Sequence, residues 1–439
     1  MVEGIELAES LQERRIRLFI WGGGYVGLSS AIAFAARGVP VLIYDPSADR
    51  VQSIEKGCLQ MPGFEKWIGM EVAPLVLAGL LRAALLPSFV PKNAVHLVAV
   101  PTESDGEPNL STVRQVLSQI APSSPALAII ESTLPPGAGR RLGAEFPEIP
   151  FVAAPRRDWF LEEGRDLRSL PRVYAGDRPF AAAAARAILS IVSDQLQEAS
   201  TIAVVELTKC FENSVHHLIA MYASQLSRAF PNLNVNEAYR LATGHWRVDN
   251  EYFASVGTGG PCLPMATRYL LVSEDRESGL GLATEAIGFD DDQRRFVADL
   301  IYETVSSPIG LVGLTYRGNV PLLRYSPFVE IGRDLASRGC PILLHDPFCA
   351  EDAEHAIPGA KSLPLDRLIA QCEFILVGAS HDEYRSELCE SLLTGLRPGS
   401  CILDNEGTWS SFSTAFEEAG IWYRRVGDPG WTSPPRKGV

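Results

Sequence analysis

Short apolar runs alternate with longer helical patterns along the first half of the chain. The first run, 17–21, leads into a glycine-rich turn, a helical pattern that ends at Gly38 and a second run that ends at Asp45. Similar runs cover 94–100, 126–133 and 150–155. Strands that alternate with helices pair in parallel and are covered by helices on both faces. The pattern therefore predicts a parallel sheet of doubly wound type.

A second alternating pattern begins near residue 308, has a helix across 327–338, and predicts another sheet of the same type. Between the two patterns, residues 201–230 contain neither proline nor glycine, which predicts one helix of about 40 Å. We therefore expect an α/β protein with two Rossmann-like domains joined by a long central helix and a helical region. The expected domain boundaries are 1–200, 201–300 and 301–439.

Charge and cysteine content narrow the classes of partner. The net charge of −14 argues against nucleic acid or a membrane surface as a partner. The longest apolar segment, 74–87, is too short to span a bilayer, so we expect it to form a buried amphipathic helix. There is no secretory signal and no C-x-x-C pair among the eight cysteines, which predicts reduced thiols in the cytoplasm. His216 and His217 diverge on a helix, so no metal site is expected.

The glycine-rich turn carries candidate cofactor chemistry. Gly22, Gly24 and Gly27 fit the spacing G-x-G-x-x-G between a strand and a helix, and Asp45 follows about 20 residues later. In this context a dinucleotide is expected, with its pyrophosphate at the helix N-terminus and its ribose on Asp45. The alternative is a tight turn without a ligand. A carboxylate repels a 2′-phosphate, which favours NAD over NADP, although Arg50 lies near.

One cysteine, Cys262, follows a second glycine-rich turn in the stretch SVGTGGPCLPMATRYLL. A free cysteine is most often a buried packing residue, and that is the ordinary interpretation of a lone thiol. On the long helix, Glu206, Lys209 and Asn213 share one face. Taken alone, they would form a solvated stripe. Together with a dinucleotide fold, they favour a nucleophilic cysteine beside a polar face.

Seven stretches, in this order and spacing, resemble the UDP-glucose/GDP-mannose dehydrogenase family over residues 17–410. They are GGGYVGL, VAVPTESDGEPNLS, ESTLPPG, FLEEG, ELTKCFEN, GTGGPCLP and GLTYRGNVPLLRYSP. The resemblance implies an NAD-dependent oxidation of the C6 primary alcohol of a nucleotide sugar to a carboxylate. The oxidation proceeds through two hydride transfers. A cysteine thiolate captures the intermediate aldehyde as a thiohemiacetal, which becomes a thioester and is hydrolysed. It also implies that 1–200 binds NAD, that 201–300 is a helical dimerisation region with the cysteine loop, and that 301–439 binds the nucleotide sugar, with a UDP-sugar expected.

The resemblance also assigns roles to individual positions. The matching catalytic positions are Cys262 as nucleophile, Lys209 and Asn213 as oxyanion donors, Glu163 as base and Thr133 as a water-positioning residue. The matching NAD positions are Gly22, Gly24, Tyr25, Val26, Gly27, Asp45, Arg50, Thr102, Thr133 and Arg324. The matching nucleotide-sugar positions are Phe160, Leu161, Glu163, Lys209, Asn213, Arg247, Tyr252, Ser255, Gly259 and Arg317. Arg247 matches an arginine that reaches a neighbouring subunit, which implies a homodimer. Arg317 replaces a lysine and can bind a diphosphate bidentately.

Several positions depart from the family pattern. The family has Cys-x-Pro followed by lysine or valine and then aspartate, whereas this chain has Met265 and Ala266. Further replacements are Pro321 and Leu322 for two aspartates, Glu406 for an arginine, and Arg156 and Arg157 near a missing acid. Either a neighbouring carboxylate such as Glu162 or Glu206 compensates, or the reaction is altered. An altered enzyme stops at the aldehyde, hydrolyses the thioester slowly or takes another sugar. A non-catalytic nucleotide-sugar-binding relative is a third possibility.

The segment after the cysteine motif bears on the substrate. TRYLL, 267–271, lacks the proline that the N-acetylhexosamine branch usually has there, which favours a UDP-glucose-like substrate and UDP-glucuronate as product, for polysaccharide biosynthesis. The rival enzyme is a two-electron hydroxyacid-type dehydrogenase. Enzymes of that type also pair a Rossmann domain with a helical Lys/Asn motif, but they lack the third domain and the cysteine loop.

Overall fold

The structure is a computed structural model of the 439-residue chain. It describes residues 2–435 with the exception of 60, 62–63, 159–166, 246–252, 261, 274–278, 305–307 and 387–394. The chain divides into two compact units. Unit 1 comprises Met1–Glu212 and Arg268–Gly279, and unit 2 comprises Asn213–Thr267 and Leu280–Val439. The three domain ranges expected from the sequence stay a prediction.

Unit 1 is built on a sheet of short, buried strands. Its strands are β1 (Leu18–Trp21), β2 (Val41–Tyr44), β3 (Leu81–Ala84), β4 (Val95–Val98), β7 (Leu127–Ile130), β8 (Phe151–Ala153), β9 (Arg172–Gly176) and β10 (Leu196–Glu198), with a hairpin of β5 (Glu103–Ser104) and β6 (Glu107–Pro108). Its helices are α1 (Val2–Gln12), α2 (Tyr25–Ala35), α3 (Ala48–Glu55), α4 (Phe64–Ile68), α5 (Ala73–Leu77), α6 (Ser111–Ile120), α7 (Ala138–Glu145) and α8 (Pro179–Leu189).

The strand order of this sheet is β10-β9-β8-β7-β4-β1-β2-β3. The pairs are parallel except for β8 with β9. Every residue of β1, β4 and β7 is buried because helices cover both faces, and each face has its own apolar cluster. The N-terminal helix α1 packs against α8 and buries Leu11.

The expectation for residues 74–87 is wrong. The segment does not form one amphipathic helix, because α5 ends at Leu77 and Gly79 follows with φ +69°. Leu81–Ala84 then forms β3, the edge strand of the sheet. Leu77 is 88% exposed, so the segment is not buried throughout either. A short apolar run has no clear period, and the glycine decides between helix and strand.

Unit 2 contains the second sheet. Its strands are β11 (Ile309–Val312), β12 (Ile342–His345), β13 (Lys361–Ser362), β14 (Phe374–Val377), β15 (Cys401–Asp404) and β16 (Trp422–Arg425), in the order β13-β12-β11-β14-β15-β16, all parallel. Its other helices are α10 (Val235–Ala242), α12 (Gly281–Thr304), α13 (Pro327–Ser337), α14 (Ala350–Ala356), α15 (Leu365–Gln371), α16 (Asp382–Ser386) and α17 (Ser413–Glu418).

Two helices run from one unit into the other: α9 (Ile202–Ala229) and α11 (Leu263–Leu271). The helix predicted for 201–230 is confirmed by α9, which ends just before Pro231. The predicted α/β fold with two Rossmann-like parallel-sheet domains and a long central helix is thereby confirmed. Across the part of the chain that the structure describes, no helix combines the length and apolar character needed to cross a membrane.

Candidate functional site

The glycine-rich turn between β1 and α2 has the geometry of a dinucleotide-binding turn. Gly22 has φ +99°, and a Cβ there would lie 2.3 Å from the carbonyl oxygen of Ala99. A Cβ on Gly27 would lie 1.9 Å from the carbonyl oxygen of Gly22, so this position packs the helix against the turn. Gly24, by contrast, has no described atom within 4 Å of a Cβ placed on it. Open space at the helix N-terminus is what the approach of a pyrophosphate requires, so these residues fit NAD.

Tyr25 and Val26 form the first turn of α2, where Tyr25 is partly buried and Val26 is 37% exposed. Their backbone lies at the same helix N-terminus as Gly24. The sequence-predicted residues of this turn are therefore brought together by one strand–turn–helix element.

Asp45 ends β2 beside the same turn. Its carboxylate accepts hydrogen bonds from the backbone N–H of Gly23 at 2.8 Å and of Ser47 at 2.9 Å, and it pairs with Arg50 at 3.1 Å. These contacts fix the carboxylate of Asp45, which is 2% exposed. Oδ2 accepts from both Gly23 and Arg50, whereas Oδ1 has one short hydrogen bond, from Ser47, and only a long one of 3.4 Å from Arg50, so Oδ1 is the oxygen that a ribose hydroxyl would reach. Because the guanidinium of Arg50 pairs with Asp45, it is not positioned to bind a 2′-phosphate.

Thr102 follows β4, and its position is set by a residue that sequence reasoning missed. The hydroxyl of Tyr269 lies 2.7 Å from both the carbonyl oxygen and the Oγ1 of Thr102. Both residues are buried. Tyr269 belongs to α11, seven residues after Cys262, and nothing in the local pattern pairs it with Thr102. The helix that follows the cysteine turn therefore anchors a predicted NAD contact within unit 1.

Thr133 lies on the loop between β7 and α7, and Glu206 holds the end of that loop. The Glu206 carboxylate accepts hydrogen bonds from the backbone N–H of Gly137 at 2.8 Å and of Gly139 at 2.6 Å. Burial raises the pKa of Glu206 to about 7, against the lowering effect of these two bonds. Glu206 thus caps α7 and is not a free carboxylate, which argues against the idea that it replaces the missing aspartate.

A buried network of charged side chains contacts helix α2 through Ser30. Arg156 donates to Asp158 at 2.6 and 2.5 Å and to the Ser30 hydroxyl at 2.5 Å, and Ser30 donates to Glu131 at 2.6 Å. Arg172 pairs with the other oxygen of Glu131. Two arginines and two acids balance in charge, as burial demands. Arg156, a departure from the family pattern, is therefore tied to helix α2.

The Cys262 turn in unit 2 is shaped by glycines. Gly260 has φ +79°, and a Cβ there would lie 2.6 Å from the ring of Tyr316. A Cβ on Gly259 would lie 2.8 Å from Cδ of Pro327. The carbonyl of Cys262 accepts the first helical hydrogen bond of α11, from the N–H of Ala266 at 3.0 Å. Cys262 is exposed and stands at the N-terminus of that helix, where an anion is favoured.

The residues before the turn are fixed within unit 2. The N–H of Ser255 donates to the hydroxyl of Ser224 at 3.1 Å, and the N–H of Val256 donates to Oδ1 of Asn405 at 2.9 Å. Arg317 follows β11, and its carbonyl accepts a hydrogen bond from the hydroxyl of Thr315 at 2.9 Å. These bonds tie the chain around Ser255 and Arg317 to neighbouring parts of unit 2.

Cys210 differs from the exposed Cys262 in its burial. It is fully buried, and burial raises the pKa of its thiol to about 12. Its sulfur lies 3.6 Å from the carbonyl oxygen of Leu134. This is an inert packing thiol.

The remaining predicted residues divide into two sets. Lys209 and Asn213 are partly buried on α9, and the guanidinium of Arg324 lies 4.9 Å from the ring centre of Tyr325. The predicted positions that lie outside the described residues are Phe160, Leu161, Glu162, Glu163, Arg247 and Tyr252. Among the residues that are described, no group of three or more His, Cys, Asp or Glu side chains could hold a metal ion.

Comparison with known families adds the identity. Residues 16–147 match the NAD binding domain of the UDP-glucose/GDP-mannose dehydrogenase family, and residues 310–410 match the UDP binding domain of the same family. The chain belongs to this family. It is an NAD-dependent nucleotide-sugar dehydrogenase, with an NAD-binding domain built on the first sheet and a UDP-binding domain built on the second.

Individual relatives of this dehydrogenase cover most of its length. It is 28% identical over 415 residues to a UDP-N-acetyl-D-mannosamine dehydrogenase of Pyrococcus horikoshii, covering 87% of this chain and 93% of that protein. It is 26% identical over 428 residues to a protein of the same name from Salmonella typhi, covering 88% and 98%. The solved structure of the Pyrococcus horikoshii UDP-D-ManNAc dehydrogenase matches with a TM-score of 0.80 at 22% identity, over 94% of this chain and 99% of that one. At that identity the structural match establishes the fold.

Proposed function

We propose that this dehydrogenase oxidises the C6 primary alcohol of a UDP-N-acetylhexosamine to the carboxylate. The proposed substrate is UDP-N-acetyl-D-mannosamine, and the reaction passes through a covalent intermediate on Cys262. The names of the two relatives support the N-acetylated sugar. The UDP-glucose-like substrate and the UDP-glucuronate product expected from TRYLL receive no support from them. UDP-glucose becomes the alternative substrate.

The observation that carries the proposal is the setting of Cys262. An exposed thiol at a helix N-terminus, on a turn that only glycines can form, is arranged for reaction and not for packing. The buried Cys210 shows what an inert thiol in the same protein is like. The two-electron hydroxyacid rival has no use for such a turn.

Bound NAD supplies the hydride acceptor for each oxidation step. Loss of the first hydride converts the C6 alcohol into an aldehyde. Cys262 adds its thiolate to the aldehyde carbon and forms the thiohemiacetal, and loss of a second hydride converts the thiohemiacetal into a thioester. Lys209 and Asn213 are proposed to donate hydrogen bonds to the oxygen that gains charge. Water hydrolyses the thioester, the carboxylate leaves and the thiolate is restored. Glu163 is proposed as the base for that water, with Thr133 helping to place it.

The missing aspartate remains the main departure. Ala266 is 1% exposed and Met265 is 4% exposed, so both positions are filled with apolar side chains packed in the protein. Glu206 is engaged by two backbone N–H groups. Loss of an acid or base typically slows a step by about 100- to 10,000-fold without abolishing it. We therefore expect full oxidation with a slow hydrolytic step, and arrest at the aldehyde is the alternative.

The test is to count NADH formed per UDP-sugar consumed, with UDP-N-acetyl-D-mannosamine, UDP-N-acetyl-D-glucosamine and UDP-glucose. Two NADH per sugar supports full oxidation, one indicates arrest at the aldehyde, and none with any of the three overturns the proposal. Cys262→Ala should abolish acid formation while UDP binding persists. Cys58→Ala is the matched control, because Cys58 is also an exposed free thiol but belongs to unit 1 and follows helix α3.

We also propose that the dehydrogenase acts as a homodimer in the cytoplasm, where NAD and nucleotide sugars are found. Val204, Leu207 and Phe211 lie at i, i+3 and i+7 of α9 and are 43%, 49% and 62% exposed. One apolar stripe on an exposed helix face supports a self-association surface. Light scattering should give twice the monomer mass for the wild type and a lower mass for Leu207→Glu. A monomeric wild type overturns this part.

A further inference from the structure

A histidine and an aspartate form a buried pair close to the cysteine turn in unit 2. His217 is 0% exposed and Asp290 is 2% exposed, and Nε2 of the histidine lies 3.3 Å from Oδ2 of the aspartate. His217 lies on α9, four residues after Asn213, and Asp290 lies on α12. Neither residue belongs to the machinery proposed above. Burying an ionisable pair is costly, so its contacts should reveal what it does.

Asp290 holds the chain before Cys262. Its Oδ1 accepts a hydrogen bond from the backbone N–H of Thr258 at 2.8 Å, and its Oδ2 accepts one from the Thr258 hydroxyl at 2.6 Å. Thr258 lies four residues before Cys262. The neighbouring Gly257 allows this approach, because a Cβ there would lie 3.1 Å from Oδ1 of Asp290.

His217 holds the chain after Cys262. Its Nδ1 lies 2.9 Å from the hydroxyl oxygen of Thr267, which is five residues after the cysteine. The Thr267 hydroxyl also reaches the carbonyl oxygen of Leu263 at 3.2 Å. The Thr267 hydroxyl can donate either to Leu263 or to Nδ1 of His217. In both cases Nε2–H of His217 donates to Asp290, since an ionised carboxylate can only accept.

The aspartate stays charged although it is buried. Burial opposes its ionisation, but the hydrogen bond from His217 and the charge of Arg294 hold the pKa of Asp290 below its ordinary value. Arg294 pairs with Asp290 at 3.0 Å and also with Asp291 and Glu330. An ionised carboxylate accepts strong, directional hydrogen bonds, here from the N–H and the hydroxyl of Thr258.

We propose that His217 and Asp290 are a positioning pair that clamps both arms of the Cys262 turn and so sets the place of the thiol. The inference rests on the proposed role of Cys262. The pair touches neither substrate nor cofactor in this argument, and it acts through Thr258 and Thr267. Its loss should therefore slow the chemistry while leaving binding of the nucleotide intact, because small misplacements of a reacting group cost rate.

The test uses the full-length protein with His217→Ala, Asp290→Ala and Asp290→Asn. Hydrogen exchange of the peptide that covers 258–267 should rise by about tenfold or more in both alanine variants. With UDP-N-acetyl-D-mannosamine, kcat should fall by about 10- to 100-fold, while the KM for the sugar and the Kd for UDP change less than about threefold. Asp290→Asn keeps an acceptor for the Thr258 N–H and should lie between Asp290→Ala and the wild type. His216→Ala and Asp292→Asn are matched controls, because both residues are exposed neighbours.

The outcomes separate this inference from the proposed function. If Cys262→Ala abolishes acid formation but His217→Ala and Asp290→Ala keep wild-type kcat, the positioning role is wrong and the function stands. Unchanged exchange at 258–267 in folded alanine variants also overturns the inference. If KM and Kd rise with kcat unchanged, the pair serves binding and the inference fails. Acid formation by Cys262→Ala would remove the proposed function and the inference together.

Discussion

Glu206 on α9 accepts a hydrogen bond from the backbone N–H of Gly139 at 2.6 Å, which puts a carboxylate at the first turn of α7. The N–H of Gly137 donates to the other oxygen at 2.8 Å. A carboxylate at a helix N-terminus is favoured by the helix dipole, yet burial outweighs this and raises the pKa of Glu206 to about 7. The end of the loop that carries Thr133 is therefore held by a group that titrates near neutral pH.

The Glu206 pKa gives a pH-dependent contribution to stability. An acid with a raised folded pKa binds its proton in the folded state while the unfolded chain has already lost it, so stability falls as pH rises from about 4.5 to about 7. Glu206→Gln removes this term. The free energy of unfolding of the wild type relative to Glu206→Gln should fall by up to about 1.4 kcal/mol per pH unit over that range.

Chemical denaturation at several pH values measures this difference. Glu148→Gln is a control for the general effect of removing an acid, because Glu148 is exposed and lies after α7, outside the loop that Glu206 holds. A difference between wild type and Glu206→Gln that is constant from pH 4.5 to 7 would contradict the raised pKa.

Sequence reasoning succeeded where the signal is local. The turn at Gly22 to Gly27, the acid at the end of β2 and the long helix α9 each follow from residues within about 30 positions of one another. The segment 74–87 failed because an apolar run carries no clear period, and one glycine divides it. The buried networks were beyond reach, because Ser30 and Arg156 are 126 positions apart and His217 and Asp290 are 73 apart. No sequence period links such positions.

Gly24 and Gly27 of the dinucleotide turn should respond differently to substitution by alanine. Gly24 has φ −74°, which alanine adopts freely, and its Cβ position is open. Gly24→Ala should keep the melting temperature within about 3 °C but weaken NAD binding at least about tenfold, because the methyl group lies where the pyrophosphate approaches. Gly27→Ala places a methyl group 1.9 Å from a carbonyl oxygen and should lower the free energy of unfolding by about 3 kcal/mol.

Calorimetric melting and NAD titration of both variants check this contrast. Gly143→Ala is the control, since it lies in α7 with open space around its Cβ and should leave NAD binding unchanged. Normal NAD affinity in Gly24→Ala would show that the cofactor does not approach this turn.

Asp45→Asn should relax the choice between NAD and NADP. The charge of Asp45 disfavours a 2′-phosphate and also engages Arg50, so the amide removes the repulsion and releases a cation. We expect NAD affinity to fall about tenfold and the NADP-to-NAD ratio of kcat/KM to rise at least about tenfold, each near 1.4 kcal/mol. Steady-state kinetics with both cofactors measures the change. Asp49→Asn, an exposed acid in the first turn of α3, should alter neither value.

Tyr269→Phe tests whether α11 anchors the predicted NAD contact at Thr102. The tyrosine hydroxyl lies 2.7 Å from both the carbonyl oxygen and the Oγ1 of Thr102, and phenylalanine leaves these buried groups without that partner. The free energy of unfolding should fall by about 1–3 kcal/mol. Thr102→Val alone should cost less, because it keeps the bond to the carbonyl.

A double-mutant cycle measured by chemical denaturation should therefore show a coupling of about 0.5–1 kcal/mol between the two side chains. NAD affinity should weaken in Tyr269→Phe, whereas unchanged affinity together with additive costs would mean that Tyr269 packs beside Thr102 without positioning it.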